Sequence, residues 1–403
     1  MTSSPNSLFS TVEMAPKDPI LGQTEAFLAD PRPGKVNLGV GVYYDDNGKL
    51  PLLRAVKAAE DERVRKGLPR GYLPIDGPAA YNKAVQTLLF GEGSEEVSSG
   101  RVVTIDALGG TGGLKVGADY LKRLLPDSQV AISDPSWENH RGVFENAGFP
   151  VVSYRYYEAA SHGLDVTGMM ASLSRLPAHT IVVLHACCHN PTGVDLSTSQ
   201  WQDVVALCKT KGFVAFLDLA YQGFGDGIAE DATAVKLFAA AGLPFLVANS
   251  FSKSFSLYGE RVGALSIVTD SADEASRVLS QVKRLIRTNY SNPPTHGGAI
   301  VTDILSSPEL RKLWEDELGE MRERIRKMRH EFVDRLKALN VKQDFSFVAR
   351  QRGMFSFSGL TPQQVDRLRE EHAIYAISTG RICLAALNSG NIDRVVRAVA
   401  AVL

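Results

Sequence analysis

Seven short apolar runs, separated by polar and helix-period stretches, occupy the middle of the chain: Val102–Leu108, Val130–Ser133, Val151–Tyr157, Thr180–His185, Val214–Leu219, Phe245–Ser250 and Val262–Val268. Near-continuous hydrophobic runs of this length predict strands buried on both faces. Helices are predicted between most of them, at Leu114–Leu125, Trp137–Ala147 and Leu196–Lys209. Ser197 with Gln200, and Ser271 with Glu274, have the spacing of capping boxes. Strands alternating with helices predict an α/β fold with a mostly parallel sheet flanked by helices.

Beyond residue 305 the period changes. Leu310, Trp314, Leu318, Met321, Ile325, Met328, Phe332, Leu336 and Leu339 recur every three or four positions, which is one face of a long helix. The charges between them alternate in sign and predict a solvated face rather than a nucleic-acid patch. Thr361-Pro362-Gln363-Gln364 predicts another helix start, with proline at its first position. Asn391–Leu403 predicts a terminal helix. The expected organisation is an N-terminal arm (1–14), a large domain (51–317) and a smaller α+β domain built from residues 15–50 and 318–403.

Composition narrows the class. The 403 residues are 44% hydrophobic and 22% charged, and the formal charge is −1. That is ordinary for a globular chain, and it lacks the basic excess of a nucleic-acid binder. No stretch has the length and apolarity of a membrane span, and the first residues lack the basic and apolar regions of a secretory leader. Cys187, Cys188, Cys208 and Cys383 are expected to be reduced thiols in a cytoplasm. His185, Cys187, Cys188 and His189 lack zinc-type spacing, so no metal site is expected.

Five places resist a purely structural explanation. Lys253 follows the strand ending at Ser250, among small hydroxyl residues, with Arg261 eight positions on. A lysine at a strand end is ordinarily solvated, but one that loses hydration loses basicity and can condense with an aldehyde. Asp218 lies late in an apolar strand, where a carboxylate is costly unless it caps a helix or meets a cation. Tyr221 follows three residues later. Gly109-Gly110-Thr111-Gly112-Gly113 joins a strand to a helix, a place where backbone N–H groups bind phosphate. It is not the dinucleotide fingerprint, because Lys115 stands where the third glycine should fall. His189-Asn190-Pro191-Thr192-Gly193 is good turn chemistry after another strand. Arg287, before Tyr290-Ser291-Asn292-Pro293-Pro294, and Arg381, after Ser378-Thr379-Gly380, are candidate carboxylate binders.

Together with Asn37–Tyr43, Tyr72–Gly77, Asp134–His140 and the run from Ser250 to Gly263, these motifs resemble the fold-type I, class I aminotransferases of the aspartate/aromatic subgroup, over essentially the whole chain. The resemblance implies pyridoxal 5′-phosphate (PLP) held covalently on Lys253, which would also move the substrate's α-proton. Asp218 would pair with the pyridine nitrogen, with His140 behind it. Asn190 and Tyr221 would bond the phenolate oxygen, and Trp137 would stack on the ring. Gly110, Thr111, Ser250, Ser252 and Arg261 would hold the phosphate. Arg381, aided by the backbone at Gly41, would take the α-carboxylate. Tyr72 and Arg287 would reach into a partner's site, which implies a homodimer; Ile20 and Leu21 would form an apolar lid. Gly109 departs from members that carry serine there.

Arg287, Asn292 and Thr111 resemble the dicarboxylate type, whereas Tyr43, Tyr44 and Leu50 resemble the aromatic type. The expectation is a ping-pong aminotransferase moving the amino group of aspartate, glutamate, tyrosine and phenylalanine to 2-oxo acids such as 2-oxoglutarate. The alternative is a dedicated aspartate enzyme. A decarboxylase or lyase on the same fold is the rival reaction, and two carboxylate-binding arginines favour transamination over it.

Overall fold

The computed structural model describes residues 7–15 and 21–403. Ile20 of the expected lid lies outside the described residues, and Leu21 opens the helix Leu21–Ala29.

All seven predicted strands belong to one sheet. Its spatial order is Val102–Leu108, Val262–Val268, Phe245–Ser250, Val214–Leu219, Ile181–His185, Val130–Asp134 and Val151–Arg155. Val262–Val268 is antiparallel to both neighbours, and the other pairings are parallel. The sheet is therefore mostly parallel, as expected, and mixed. One topological consequence matters for the site. Six strands end at the same edge, and the antiparallel strand begins there, so Val262 pairs with Leu108 and Gly263 with Ser250. Residues that follow six strands and those that precede the seventh converge on that edge, where open α/β sheets bind ligands.

Two of the differences from the expected element boundaries bear on the architecture. The run Val151–Tyr157 leaves the sheet at Arg155, and Tyr157–Glu158 pairs instead with Gly163–Leu164 in a small hairpin. The Asp165 N–H, bonded to the Tyr156 carbonyl at 2.8 Å, closes that excursion. The helix expected to start at Leu114 begins at Gly109 and runs to Leu124, so the glycine-rich turn is its first turn. Glycine's low helix propensity is overridden by packing. A Cβ at Gly113 would lie 2.9 Å from the Ala264 carbonyl oxygen, so only glycine lets this helix approach the sheet so closely.

Helix ends follow the expected chemistry. Ser197 and Gln200 form a reciprocal capping box, as do Thr361 and Gln364. Ser271 caps only one way: its hydroxyl accepts from the Glu274 N–H, while the Glu274 carboxylate turns to the Asp270 N–H. The long helix spans Pro308–Ala338 and buries the predicted face from Trp314 to Leu336. It also braces the site from outside. Trp314 donates its indole N–H to the Ser254 carbonyl at 2.7 Å, next to Lys253. The buried Glu317 accepts the backbone N–H groups of Arg54 and Ala55, and so caps the helix Arg54–Lys66.

Segments from the two ends of the chain also meet outside this sheet. Val36–Asn37 pairs in parallel with Ile374–Tyr375, and Phe355–Phe357 pairs antiparallel with Arg381–Cys383. Helices Pro362–His372 and Ile392–Val402 pack here. Among the described residues, no helix is long and apolar enough to cross a membrane.

Candidate functional site

A cavity of about 360 Å³ opens at the shared strand edge. Its lining includes Gly41, Gly110, Thr111, Trp137, Asn190, Asp218, Tyr221, Ser250, Ser252, Lys253, Arg261 and Arg381. Sequence positions from 41 to 381 thus meet in one place. His140 stands directly behind the lining, fully buried.

Lys253 is half-buried, and its Nζ lies over the Tyr221 ring, 4.9 Å from the centroid. Desolvation lowers its pKa to about 8; the Asp218 charge opposes that shift, and Arg261 and Arg381 add to it. An amine so tuned is neutral over much of the mildly alkaline range, where it can act as nucleophile or base.

Burial by itself raises the Asp218 carboxyl. The hydrogen bond from His140, with the Lys253 charge adding to it, outweighs that penalty, so the group sits below its ordinary value and is ionised. His140 Nε2 is 2.9 Å from Asp218 Oδ2, and Nδ1 is 2.9 Å from Ser136 Oγ. An ionised carboxylate only accepts, so Nε2 carries a proton and donates. Desolvation pushes His185, whose ring lies 4.9 Å from that of His140, well below its usual pKa, so it is neutral. Burial strongly raises the Tyr221 phenol, which is therefore protonated.

The glycine turn and the basic side chain opposite it form an anion cradle. The first turn of a helix leaves N–H groups without intrahelical partners. Gly110 packs on Ser250, where an added Cβ would lie 3.1 Å from the Ser250 Cβ. Ser250 Oγ is 3.2 Å from Ser252 Oγ, and Arg261 Nη1 donates to Ser252 Oγ at 3.3 Å. The cradle explains Gly109: its φ is +70°, and a Cβ there would fall 2.4 Å from Arg261 Nη2. A serine would displace that guanidinium, so glycine and arginine form one arrangement here.

Arg381 is 1% exposed. Nη1 donates to Asn190 Oδ1 at 3.0 Å and Nη2 to the Gly39 carbonyl at 2.8 Å, while Nε has no partner among the described residues. Glu138 Oε2 is the nearest carboxylate oxygen paired with it, at 3.7 Å. A buried guanidinium with unused hydrogen-bonding capacity, facing a cavity, is suited to a planar carboxylate.

Tyr72 and Arg287 are not in this cavity. Tyr72 is 96% exposed; both residues line a separate cavity of about 830 Å³ with Arg70, Asn292 and Pro294. Thr111 lines the Lys253 cavity, whereas Leu50 is exposed and Tyr44 half-buried. Tyr43 is tied into the fold: its hydroxyl accepts from Arg324 Nε at 2.8 Å. Cys187 and Cys188 stand near Asp231, whose carboxylate accepts the N–H groups of Gly223, Gly225 and Asp226 and so organises a loop. The sequence reading gave no role in this site to Phe355, His185 or Tyr258, which also line the Lys253 cavity. His185 and Tyr258 occur inside motifs already noted; Phe355 is an apolar residue in a short strand and carries no chemical signal of its own.

The residues fit PLP. A cradle of helix-start N–H groups, hydroxyls and Arg261 suits its phosphate, the ionised Asp218 suits a protonated ring nitrogen, and the near-neutral Lys253 amine suits its aldehyde.

A mixed α/β sheet whose strand edge gathers a tuned lysine, a carboxylate and an anion cradle is the architecture of the class I and II aminotransferases. The sequence model of that family, "Aminotransferase class I and II", matches residues 33–399, and the chain belongs to it. The chain is 67% identical to an aspartate aminotransferase of Pseudomonas aeruginosa over 98% of its length and 100% of the relative's. It is 49% identical to an aromatic-amino-acid aminotransferase of Escherichia coli, with the same shares covered. A solved aromatic-amino-acid aminotransferase from Burkholderia pseudomallei, covalently bound to pyridoxal phosphate, superposes with a TM-score of 0.96 at 66% identity, over 98% of this chain and 100% of that one.

Proposed function

We propose that this protein is a PLP-dependent aminotransferase that moves the amino group of aspartate, glutamate, tyrosine and phenylalanine to 2-oxo acids such as 2-oxoglutarate. The observation that carries the reading is the convergence of Lys253, Asp218 and Arg381 on one cavity. The relatives support both substrate classes: the aspartate enzyme and the solved aromatic enzyme resemble this chain almost equally, at 67% and 66% identity.

When bound, PLP supplies an electron sink that acidifies the substrate's α-carbon. Lys253 would hold the cofactor and then, as a free amine, take and return the proton at that carbon. Asp218, fixed by His140 and Ser136, keeps a negative charge at the buried end of the cavity, where it would hold the ring nitrogen protonated. Tyr221 and Asn190 present an O–H and an amide to the ring's oxygen. Trp137 lies along the cavity wall and would stack on the ring. Gly110, Thr111, Ser250, Ser252 and Arg261 would anchor the phosphate. Arg381, with the Gly41 backbone beside it, would orient the α-carboxylate, and closure of the cavity around it would exclude water.

The assembly belongs to the same proposal. Arg287 and Tyr72 line a cavity apart from Lys253, which accords with a homodimer in which each chain completes its partner's site. The division into a large domain (51–317), a small domain (15–50 with 318–403) and an arm (1–14), and a cytoplasmic location without nucleic-acid or membrane partners, complete the reading.

Substitution of the two arginines separates their roles. Removing one side of a desolvated charge pair costs about 2–5 kcal/mol. Arg287→Ala should therefore lower kcat/KM for aspartate roughly 30- to several-thousand-fold. Phenylalanine has no distal carboxylate and should lose far less. Arg381→Ala should damage both substrates comparably, because both carry an α-carboxylate. Equal losses for aspartate and phenylalanine in Arg287→Ala would refute its assignment to the distal carboxylate.

A further inference from the structure

The long helix Pro308–Ala338 carries a guanidinium that the proposed chemistry does not use. Arg329 is 1% exposed, and burial lowers its pKa to about 10. Among the described residues no carboxylate is in salt-bridge contact with it; its acceptors are backbone carbonyls. Nη1 donates to Val348 at 3.0 Å, and Nη2 donates to Gly353 at 2.8 Å, to Arg352 at 3.2 Å and to Phe355. All four carbonyls belong to the strap 348–355, which wraps around the guanidinium. Nε finds no partner among the described residues, so the buried charge depends on these four carbonyls, and the strap and Arg329 fix each other.

The opposite side of the strap rests on the turn that carries Asn190. The Arg352 N–H donates to the Gly193 carbonyl at 2.7 Å. A Cβ at Gly353, where φ is +73°, would come within 2.5 Å of the Cys188 Cβ. The strap therefore has no room to move toward the turn, and Arg329 holds it from the other side. At its end stands Phe355, whose ring centroid is 4.5 Å from the Arg381 guanidinium carbon and 5.9 Å from the Tyr221 ring. The same ring packs against Gly41, where an added Cβ would lie 2.6 Å from its Cζ.

We propose that Arg329 is a positioning residue for substrate recognition: by clamping the strap 348–355 it holds Phe355 against Arg381 and so sets the plane in which Arg381 meets a carboxylate. The inference rests on the reading of Arg381 as the α-carboxylate binder. Bidentate recognition depends on the orientation of the guanidinium, so a loosened strap is felt in substrate binding before it is felt at Lys253.

The test compares Arg329→Lys with wild type in the PLP-loaded enzyme. Lysine keeps the charge but has no planar fork to span four carbonyls. KM for both aspartate and phenylalanine should rise about tenfold while kcat changes less than about threefold. Phe355→Leu should give the same pattern, and Arg329→Lys added to Phe355→Leu should add little, because both act through one contact. Gly353→Ala, which pushes the strap from its other side and leaves Arg329 intact, should raise KM in the same way if Arg329→Lys does not fold. Fully additive KM effects of Arg329→Lys and Phe355→Leu, or a fall in kcat at unchanged KM, would overturn the proposal. Arg381→Lys is measured alongside. If it raises KM for both substrates while Arg329→Lys and Gly353→Ala do not, only the Arg329 proposal fails. If Arg381→Lys leaves KM unchanged, the carboxylate reading fails and takes this one with it.

Discussion

Lys253→Ala should abolish turnover while leaving a folded protein that still binds PLP. Lys253 is the lysine that lines the site cavity, and its amine is tuned to about 8. A positioned acid–base group alone contributes about 10²–10⁴-fold. The same amine also holds the cofactor, so the loss in kcat should reach or exceed about 10⁴-fold. Folding should survive, because alanine removes a charge that desolvation already penalises, and the neighbouring segment stays pinned by the bond from Trp314 to the Ser254 carbonyl. Two measurements check this. Single-turnover kinetics with aspartate should show no reaction in the variant on the wild-type timescale. Borohydride reduction of the wild type, followed by peptide mapping, should place the cofactor on Lys253. Attachment at another lysine would reject the assignment.

Asp218→Ala should lose rate far more than cofactor affinity. The carboxylate is ionised despite its burial because His140 donates to it at 2.9 Å. A fixed charge aimed at developing charge in a water-poor site is worth about 10²–10³-fold in kcat. PLP retains its phosphate cradle and Lys253 in this variant, so its dissociation constant should change much less than kcat. Asp218→Asn should resemble the alanine variant, because the amide keeps the shape without the charge. Near wild-type single-turnover rates in both variants would make Asp218 a structural partner of His140 and nothing more.

These two residues were legible in the sequence because each breaks a pattern. Asp218 interrupts an apolar strand, and Lys253 follows one among small hydroxyl residues. Periodicity located the seven strands, whose hydrophobic runs are set locally. It misplaced the start of the helix at Gly109, because a glycine run reads locally as a turn. The reason those glycines are helical is a long-range one, the approach of Gly113 to the Ala264 carbonyl. The fit of Gly109 against Arg261 was equally invisible, since the two are 152 positions apart and meet only through the pairing of Val262 with Leu108. Phe355 was missed because aromatic residues in short strands usually mean core, and its position against Arg381 is set by the strap that Arg329 holds. Arg287 was legible as a candidate carboxylate binder, whereas Tyr72, and the reach of both into a partner's site, came only from the resemblance; a single chain places them away from Lys253.

The central claim is tested most directly by mixing wild-type, PLP-loaded enzyme with one amino acid at a time, without any oxo acid, and quantifying the products. The account predicts one equivalent of oxo acid per active site from aspartate and one from phenylalanine, with the amino group retained on the enzyme until 2-oxoglutarate is added and glutamate is released. Phenethylamine from phenylalanine would mean a decarboxylase, and the absence of phenylpyruvate alongside normal turnover of aspartate would mean a dedicated aspartate enzyme; either result would contradict the account.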